Sequence, residues 1–428
     1  MDQEDLYGKS NELIPAYDHG RNVMPKKVTI IGGGSAGCFA AIAAAETGAE
    51  VTLIEKNPSL GKKILATGNG RCNYCHDKVT YADLFRPDGD GFLSSVMNSF
   101  SPEDVLEKFR KLGITPVNKD GYIYPYSEQA RAVSDVLKRA VAASAANVMT
   151  DTSVTDIVRS DNGFRIICGD KEIRSDAVIL TTGGKAAPST GSDGKGLDIC
   201  RALGHHIVPP VPALTYLVIK DHPYKKAAGT RLSAKVSIEC AGKILSSDTG
   251  QIQITKNGVS GIPAFNICRF ASRALLNKEK VRLHIRLVPD LDDETLKDEI
   301  ADRLSDGNTT PYEALIGLFP DTFSDSLLRC AGIAPDRIPD NGRKTADRLY
   351  KYISDITLDV CGTGDFADAQ VTCGGVNLDE TDPSTMQSRI VPGLYLAGEI
   401  LDIDGKCGGY NLYFAWASGY IAGKNGGA

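Results

Sequence analysis

One junction constrains the chain more than any other stretch. Val28-Thr29-Ile30-Ile31 runs straight into Gly32-Gly33-Gly34-Ser35-Ala36-Gly37. The β-branched run predicts a buried strand. Ala40, Ala41, Ala43, Ala44 and Ala45 then predict a helix that stops near Gly48. Val51-Thr52-Leu53-Ile54 predicts the next strand, and Glu55 ends it. Strand, glycine turn, helix, strand and acid in about thirty residues make a βαβ unit.

Gly32-x-Gly34-x-x-Gly37 in that setting is a dinucleotide fingerprint. The first glycine permits a tight turn, the second lets backbone approach a pyrophosphate, and the third lets helix and sheet meet closely. The helix N-terminus then offers N–H groups and its dipole to the phosphates. Glu55 stands where an acid about twenty residues on binds a ribose hydroxyl.

Composition narrows the class. Glycine fills 44 of 428 positions, about a tenth against a usual share of about 7%, without a collagen period. A net charge of −6 argues against a nucleic-acid or anionic-membrane binder. No apolar run approaches a membrane span. Eleven scattered cysteines with no signal-peptide core read as reduced thiols in a cytoplasmic protein.

The chain divides by texture. Residues 1–24 are a polar extension, and the globular pattern starts at Pro25. Strand-like runs Val154–Val158 and Phe164–Cys168 flank a hairpin signal, Asn162-Gly163, and Ala177–Leu180 leads to Thr181-Thr182-Gly183-Gly184. After Pro209, Pro210 and Pro212, alternating runs Lys235–Cys240 and Gln251–Thr255 suggest antiparallel sheet. Charged helical stretches follow at Leu291–Leu304, Tyr312–Leu318 and Lys344–Ile353. The glycine-rich style then returns. The expected organisation is one discontinuous α/β domain, 25–202 and 355–428, interrupted by an insert at 203–354.

FAD fits better than NAD. A second glycine-rich stretch, Gly61 to Asn73, follows Glu55 at once and can lie along an extended cofactor with Arg71 as a cation; a solvated surface loop is the alternative. The segment Val391 to Glu399 is an apolar strand, a small-residue turn and an acid suited to ribityl hydroxyls. Gly408-Gly409-Tyr410-Asn411 then opens a helix whose N-terminus can face the flavin N1 and O2 region, where negative charge grows on reduction.

The motifs GGGSAG, LATGNGRCN, ILTTGG, AQVTCGGV and LYLAGEILDIDGKCGGYNL, in this order, resemble the aminoacetone oxidase-like and bile-acid 3-dehydro-Δ4,6-reductase-like flavoproteins. The resemblance runs from about Lys26 to Gly423. It implies non-covalent FAD, a Rossmann-type FAD-binding domain, and an inserted β-barrel-like plus helical domain. Carried over by motif, the FAD contacts are Gly32, Gly34, Ser35, Ala36, Gly37, Glu55, Lys56, Arg71, Cys72, Asn73, Thr182, Gly183, Gly398, Glu399, Gly409, Asn411 and Leu412, with Val154 on the adenine by its backbone. The chain departs from the family pattern at Asn69, Cys75 and Cys407.

The expected activity is an FAD-dependent oxidoreductase that passes hydride through flavin N5. The leading form is an NAD(P)H-dependent reductase of an activated C=C bond in a steroid or bile-acid-like enone, with NAD(P)H docking transiently. An O2-using amine oxidase and a non-catalytic flavin sensor or assembly module are the alternatives. Cys72 and Cys75 could form a redox dithiol, but no second nucleotide fingerprint accompanies them. Six histidines, His205 and His206 adjacent, make no metal ligand set. No residue stands out as the acid or base; His222, Tyr216 and Tyr224 are insert residues within reach of such a role, and none is assigned it.

Overall fold

A computed structural model describes residues 24–80, 82–85 and 91–428. Nearly all of the expected extension, 1–24, lies outside the described residues. Strand β1 (Lys27–Ile31), helix α1 (Ser35–Ala45) and strand β2 (Glu50–Ile54) follow the predicted βαβ order. β1 lies at the centre of a five-stranded parallel sheet. Ala177–Leu180 and then Leu394–Leu396 lie on one side, β2 and Asn147–Met149 on the other. Parallel strands are covered on both faces, which explains unbroken apolar runs such as Ala177-Val178-Ile179-Leu180, buried at every position.

α1 is buried from Ala36 to Ala44. Its partner is the terminal helix Tyr410–Gly427, which presents Gly419, Gly423 and Gly427 at four-residue intervals. A Cβ on Gly419 would overlap the Ala36 carbonyl, one on Gly423 the Ala40 carbonyl, and one on Gly427 would reach Ala44. Two ridges at i, i+4 spacing thus interlock with backbone almost touching backbone.

The hairpin expected at Asn162-Gly163 forms one residue earlier. Asp156–Ser160 pairs antiparallel with Gly163–Cys168, Ser160 opposite Gly163, so Asp161-Asn162 makes the turn. Gly163 opens the returning strand at φ +119°.

Six strands close a barrel: Leu217–Ile219, Gly258–Ser260, Lys243–Ile254, Arg231–Cys240, Val281–Leu287 and Ile356–Thr363. The last of these lies beyond Ser354, where the sequence texture ends the insert. Its Ile356, Leu358 and Val360 face the barrel core and alternate with exposed residues, so glycine content alone gave no cue to it. The segment after Leu203 likewise does not enter the barrel at once. Ile207–Ala213 first pairs with Val371–Val376 as a two-stranded ribbon between the two bodies.

Helices Asp293–Arg303, Pro311–Leu315, Asp321–Ala331 and Gly342–Ser354 form the rest of the insert. Asp321–Ala331 was not anticipated from the sequence, and neither was Ile262–Leu276, the helix that packs on the barrel wall. Pro263 in its first turn suits helix initiation. Among the described residues no helix is long and apolar enough to cross a membrane.

Candidate active site

A cavity of about 740 Å³ runs from the glycine turn after β1 to the junction with the barrel. Gly32 takes φ +104°, and a Cβ there would stand 2.6 Å from the Thr181 carbonyl oxygen. A Cβ on Gly34 would meet nothing within 4 Å, because that position faces the open cavity. The first turn of α1 therefore presents bare backbone to whatever lies there.

Glu55 is nearly buried at the end of β2. Its Oε2 accepts from Gly33 N at 2.7 Å, and its Oε1 accepts from Asn57 N at 2.8 Å and Asn57 Nδ2 at 2.7 Å. A carboxylate has about four acceptor sites, so one remains for a hydroxyl. Across the cavity, Glu399 Oε2 pairs with Lys63 Nζ at 2.7 Å. Glu399 Oε1 accepts from Thr372 N and Thr372 Oγ1, both at 2.9 Å. Lys56 bridges to Asp193 at 2.8 Å. Lys62 Nζ donates to the Ser189 carbonyl at 2.8 Å. The lysines of the glycine-rich loop are thus tied across the cavity rather than simply solvated.

Sixteen of the eighteen residues singled out in the sequence line this cavity: Gly32, Gly34, Ser35, Ala36, Glu55, Lys56, Arg71, Asn73, Val154, Thr182, Gly183, Gly398, Glu399, Gly409, Asn411 and Leu412. Gly37 and Cys72 do not. Gly37 lies beneath the turn, where a Cβ would overlap the Gly32 carbonyl. Cys72 is fully buried at φ +58°, behind the wall formed by its neighbours. Burial pushes the Cys72 thiol up to about 11 and the Cys75 thiol up to about 12. Both are free thiols, poorly disposed to ionise for dithiol exchange.

The terminal helix opens at Gly409, φ +91°, whose Cβ would stand 2.5 Å from the Cys75 carbonyl oxygen. The loop before it is closed on itself by Asn411, which accepts from Gly405 N at 2.8 Å and donates to the Gly405 carbonyl at 2.9 Å. The helix Ile262–Leu276 grips this loop from the barrel side. Asn266 Oδ1 accepts from Cys407 N at 2.9 Å. Arg269 binds Asp404 through two bonds of 2.8 and 2.9 Å, and Arg273 stands 3.7 Å from Asp402.

Sequence reasoning missed the barrel end of the cavity. Leu214, Ile262, Phe265 and Val371 give it an apolar wall, with Tyr122, Tyr124 and Gln370 as its polar fringe. His222, Tyr216 and Tyr224 do not line the cavity. Tyr216 donates to Asp368 at 3.0 Å, and Tyr224 stacks on Phe323. Among the described residues no group of three or more His, Cys, Asp or Glu could hold a metal ion.

Two buried polar atoms on the lining lack a protein partner, Asn73 Oδ1 and Thr182 Oγ1. Buried polar atoms are nearly always satisfied, so a polar ligand such as FAD fits this lining. The HI0933-like protein Rossmann domain family matches residues 26–425. The chain belongs to that family. It is an FAD-dependent oxidoreductase with a Rossmann fold.

Within reach of this HI0933-like chain, a 3-dehydro-bile acid delta(4,6)-reductase of Clostridium scindens is 38% identical over 406 residues, 93% of this chain and 98% of the relative. A ribosomal RNA dihydrouridine synthase of Haemophilus influenzae is 27% identical over 399 residues, 91% and 96% of the two chains. Among solved structures, a 3-ketosteroid delta1-dehydrogenase of Sterolibacterium denitrificans superposes with a TM-score of 0.48 at 12% identity, covering 93% and 98% of the two chains.

Proposed function

We propose that this chain saturates a C=C bond conjugated to a ring carbonyl in a small, mostly apolar molecule of the steroid or bile-acid kind, with NAD(P)H as transient electron donor. The observation that carries the reading is the lining of the cavity. Its polar, glycine-walled length continues into an apolar chamber at the barrel junction. A flavin serving only as a sensor needs no such chamber. The bile-acid reductase, at 38% identity, points to the same substrate class. The dihydrouridine synthases, more distant, are also named for saturating a ring double bond.

Bound FAD would supply the hydride chemistry. The protein's own groups hold and shield it. The first turn of α1 would hold the pyrophosphate, and the free acceptor site on Glu55 would take a ribose hydroxyl. Asn73 and Thr182 would offer their unpartnered atoms, and the N-terminus of the terminal helix would favour the pyrimidine edge, where negative charge grows on reduction. The barrel body contributes the apolar wall of the chamber through Leu214, Ile262 and Phe265.

Two measurements test this. Anaerobic mixing with NADH or NADPH is expected to bleach the flavin band, and a 3-oxo-Δ4-steroid is then expected to restore it with formation of saturated ketone. Failure of both nicotinamides, with turnover of amines in oxygen, would replace the reading by the oxidase one. Glu55→Ala is expected to weaken FAD retention by about 1.5–3 kcal/mol, the loss of a hydrogen bond to a charged group, or about ten- to a hundredfold. Unchanged FAD affinity in equilibrium dialysis would remove Glu55 from the site.

A further inference from the structure

Saturating an enone adds a hydride to the β carbon and a proton to the α carbon. The chamber therefore needs a protonated group free to give its proton. The cations nearest to hand are committed. Lys63 is paired with Glu399, Lys56 with Asp193, Lys406 with Asp83 and Arg71 with Glu128. The Cys407 thiol is pushed up to about 12 by burial.

Tyr122 is different. It lies on the short strand Tyr122–Pro125 and lines the cavity. Its hydroxyl has no hydrogen-bond partner among the described residues. The ring is held from two sides. His76 meets it edge-on at 5.2 Å and is itself stacked on Tyr410 at 4.9 Å, and a Cβ on Gly408 would stand 3.0 Å from its Cε1. Tyr124, two residues on, lines the same cavity but carries Arg71 over its ring, 5.3 Å from the centroid, on the Gly68 side. Tyr122 instead lies beside the loop at Gly408, and Cys407 and Asp248, the latter on a barrel strand, are close enough to act on its hydroxyl electrostatically.

Resting on the enone reading above, we infer that Tyr122 Oη delivers the proton to the α carbon of the substrate. The substrate's β carbon takes a hydride that originates in the nicotinamide reductant. As the π bond is lost, the Tyr122 O–H bond breaks and a C–H bond forms at the α carbon. The phenolate left behind is reprotonated by water, so each turnover consumes one hydride and one solvent proton. Burial raises the affinity of Tyr122 for its proton, and Cys407, Tyr124, Asp248 and Asp120 around it act in the same direction. The phenol accordingly stays neutral and ready to donate at neutral pH.

The test compares wild-type and Tyr122→Phe holoenzymes with NAD(P)H and a 3-oxo-Δ4-steroid. The substitution removes an oxygen that makes no hydrogen bond, so FAD content and the circular dichroism spectrum are expected to match the wild type. The steroid dissociation constant, read from the shift it causes in the oxidised flavin spectrum, is expected to stay within about twofold, and flavin reduction by NAD(P)H to keep its rate. Turnover to saturated ketone is expected to fall about 10²–10⁴-fold, the usual contribution of a general acid. In D2O the wild-type product should carry deuterium on one face of the α carbon, and the residual variant product on both. A variant that keeps wild-type turnover and one-faced deuteration overturns the role of Tyr122 while leaving the enone reading intact. A wild type that reduces no enone overturns that reading and this assignment together.

Discussion

Asp404→Ala is expected to destabilise the protein by about 3–5 kcal/mol, the cost of leaving a buried charge without its partner. The Asp404 side chain is 1% exposed and that of Arg269 15%. The guanidinium makes two parallel bonds to the carboxylate and lies 4.5 Å from the Phe85 ring centroid and 5.2 Å from that of Phe270. With the carboxylate gone, the largely buried Arg269 guanidinium loses the two bonds that offset its desolvation. The helix Ile262–Leu276, which bears Arg269, also holds the Cys407 amide through Asn266, so FAD retention should fall together with stability. The double replacement Asp404→Leu with Arg269→Met is expected to recover most of the loss, because an apolar pair of similar bulk carries no desolvation cost. Urea unfolding followed by circular dichroism and flavin absorbance together would show both effects. An Asp404→Ala midpoint equal to the wild type would mean that the pair holds nothing together.

Gly419→Leu should do more damage to the cofactor site than its distance in sequence suggests. Gly419 touches the Ala36 backbone, and Ala36 lines the cavity in the first turn of α1. Any side chain there must push the two helices apart or twist α1 away from the sheet. Overpacking typically costs about 1–3 kcal/mol, and this site belongs at the upper end because backbone atoms, not flexible side-chain ends, stand in the way. Displacing that first turn by even part of an ångström takes its N–H groups out of register with a pyrophosphate. The variant is expected to purify without yellow colour and to melt earlier even in excess FAD. Full FAD content at wild-type thermal stability would show that the two helices can separate at this point at little cost.

Which parts of this were legible in the sequence follows from where the determining contacts lie. Gly32, Gly34 and Glu55 are read from one stretch because the turn, helix and acid that give them meaning are neighbours in the chain. Gly398 and Gly409 are legible for a similar reason, since each stands at a turn between two regular elements. The chamber is another matter. Tyr122, Leu214, Ile262 and Phe265 come from three separate segments, and none has a local pattern that distinguishes it from ordinary core. The helix Ile262–Leu276 was missed because it buries one side on the barrel and turns another to the cofactor loop, which erases the single apolar stripe that marks most helices. The glycines at 419, 423 and 427 are unexplained by composition until the partner helix is in view.

That helix pair also fixes when the protein can become active. α1 emerges early in translation, and the helix that must seat against it follows about 365 residues later, a gap of about 20–75 s at usual rates of synthesis, about 5–20 residues per second. The sheet has the same timing, since its edge strand Leu394–Leu396 is added after the whole barrel has been made. Until then the alanine face of α1 has nothing to cover it, and the seat for the pyrophosphate lacks its backing. Cofactor capture is therefore a late, post-translational event in the life of this chain, and the nascent polypeptide must keep an exposed apolar helix out of trouble while it waits.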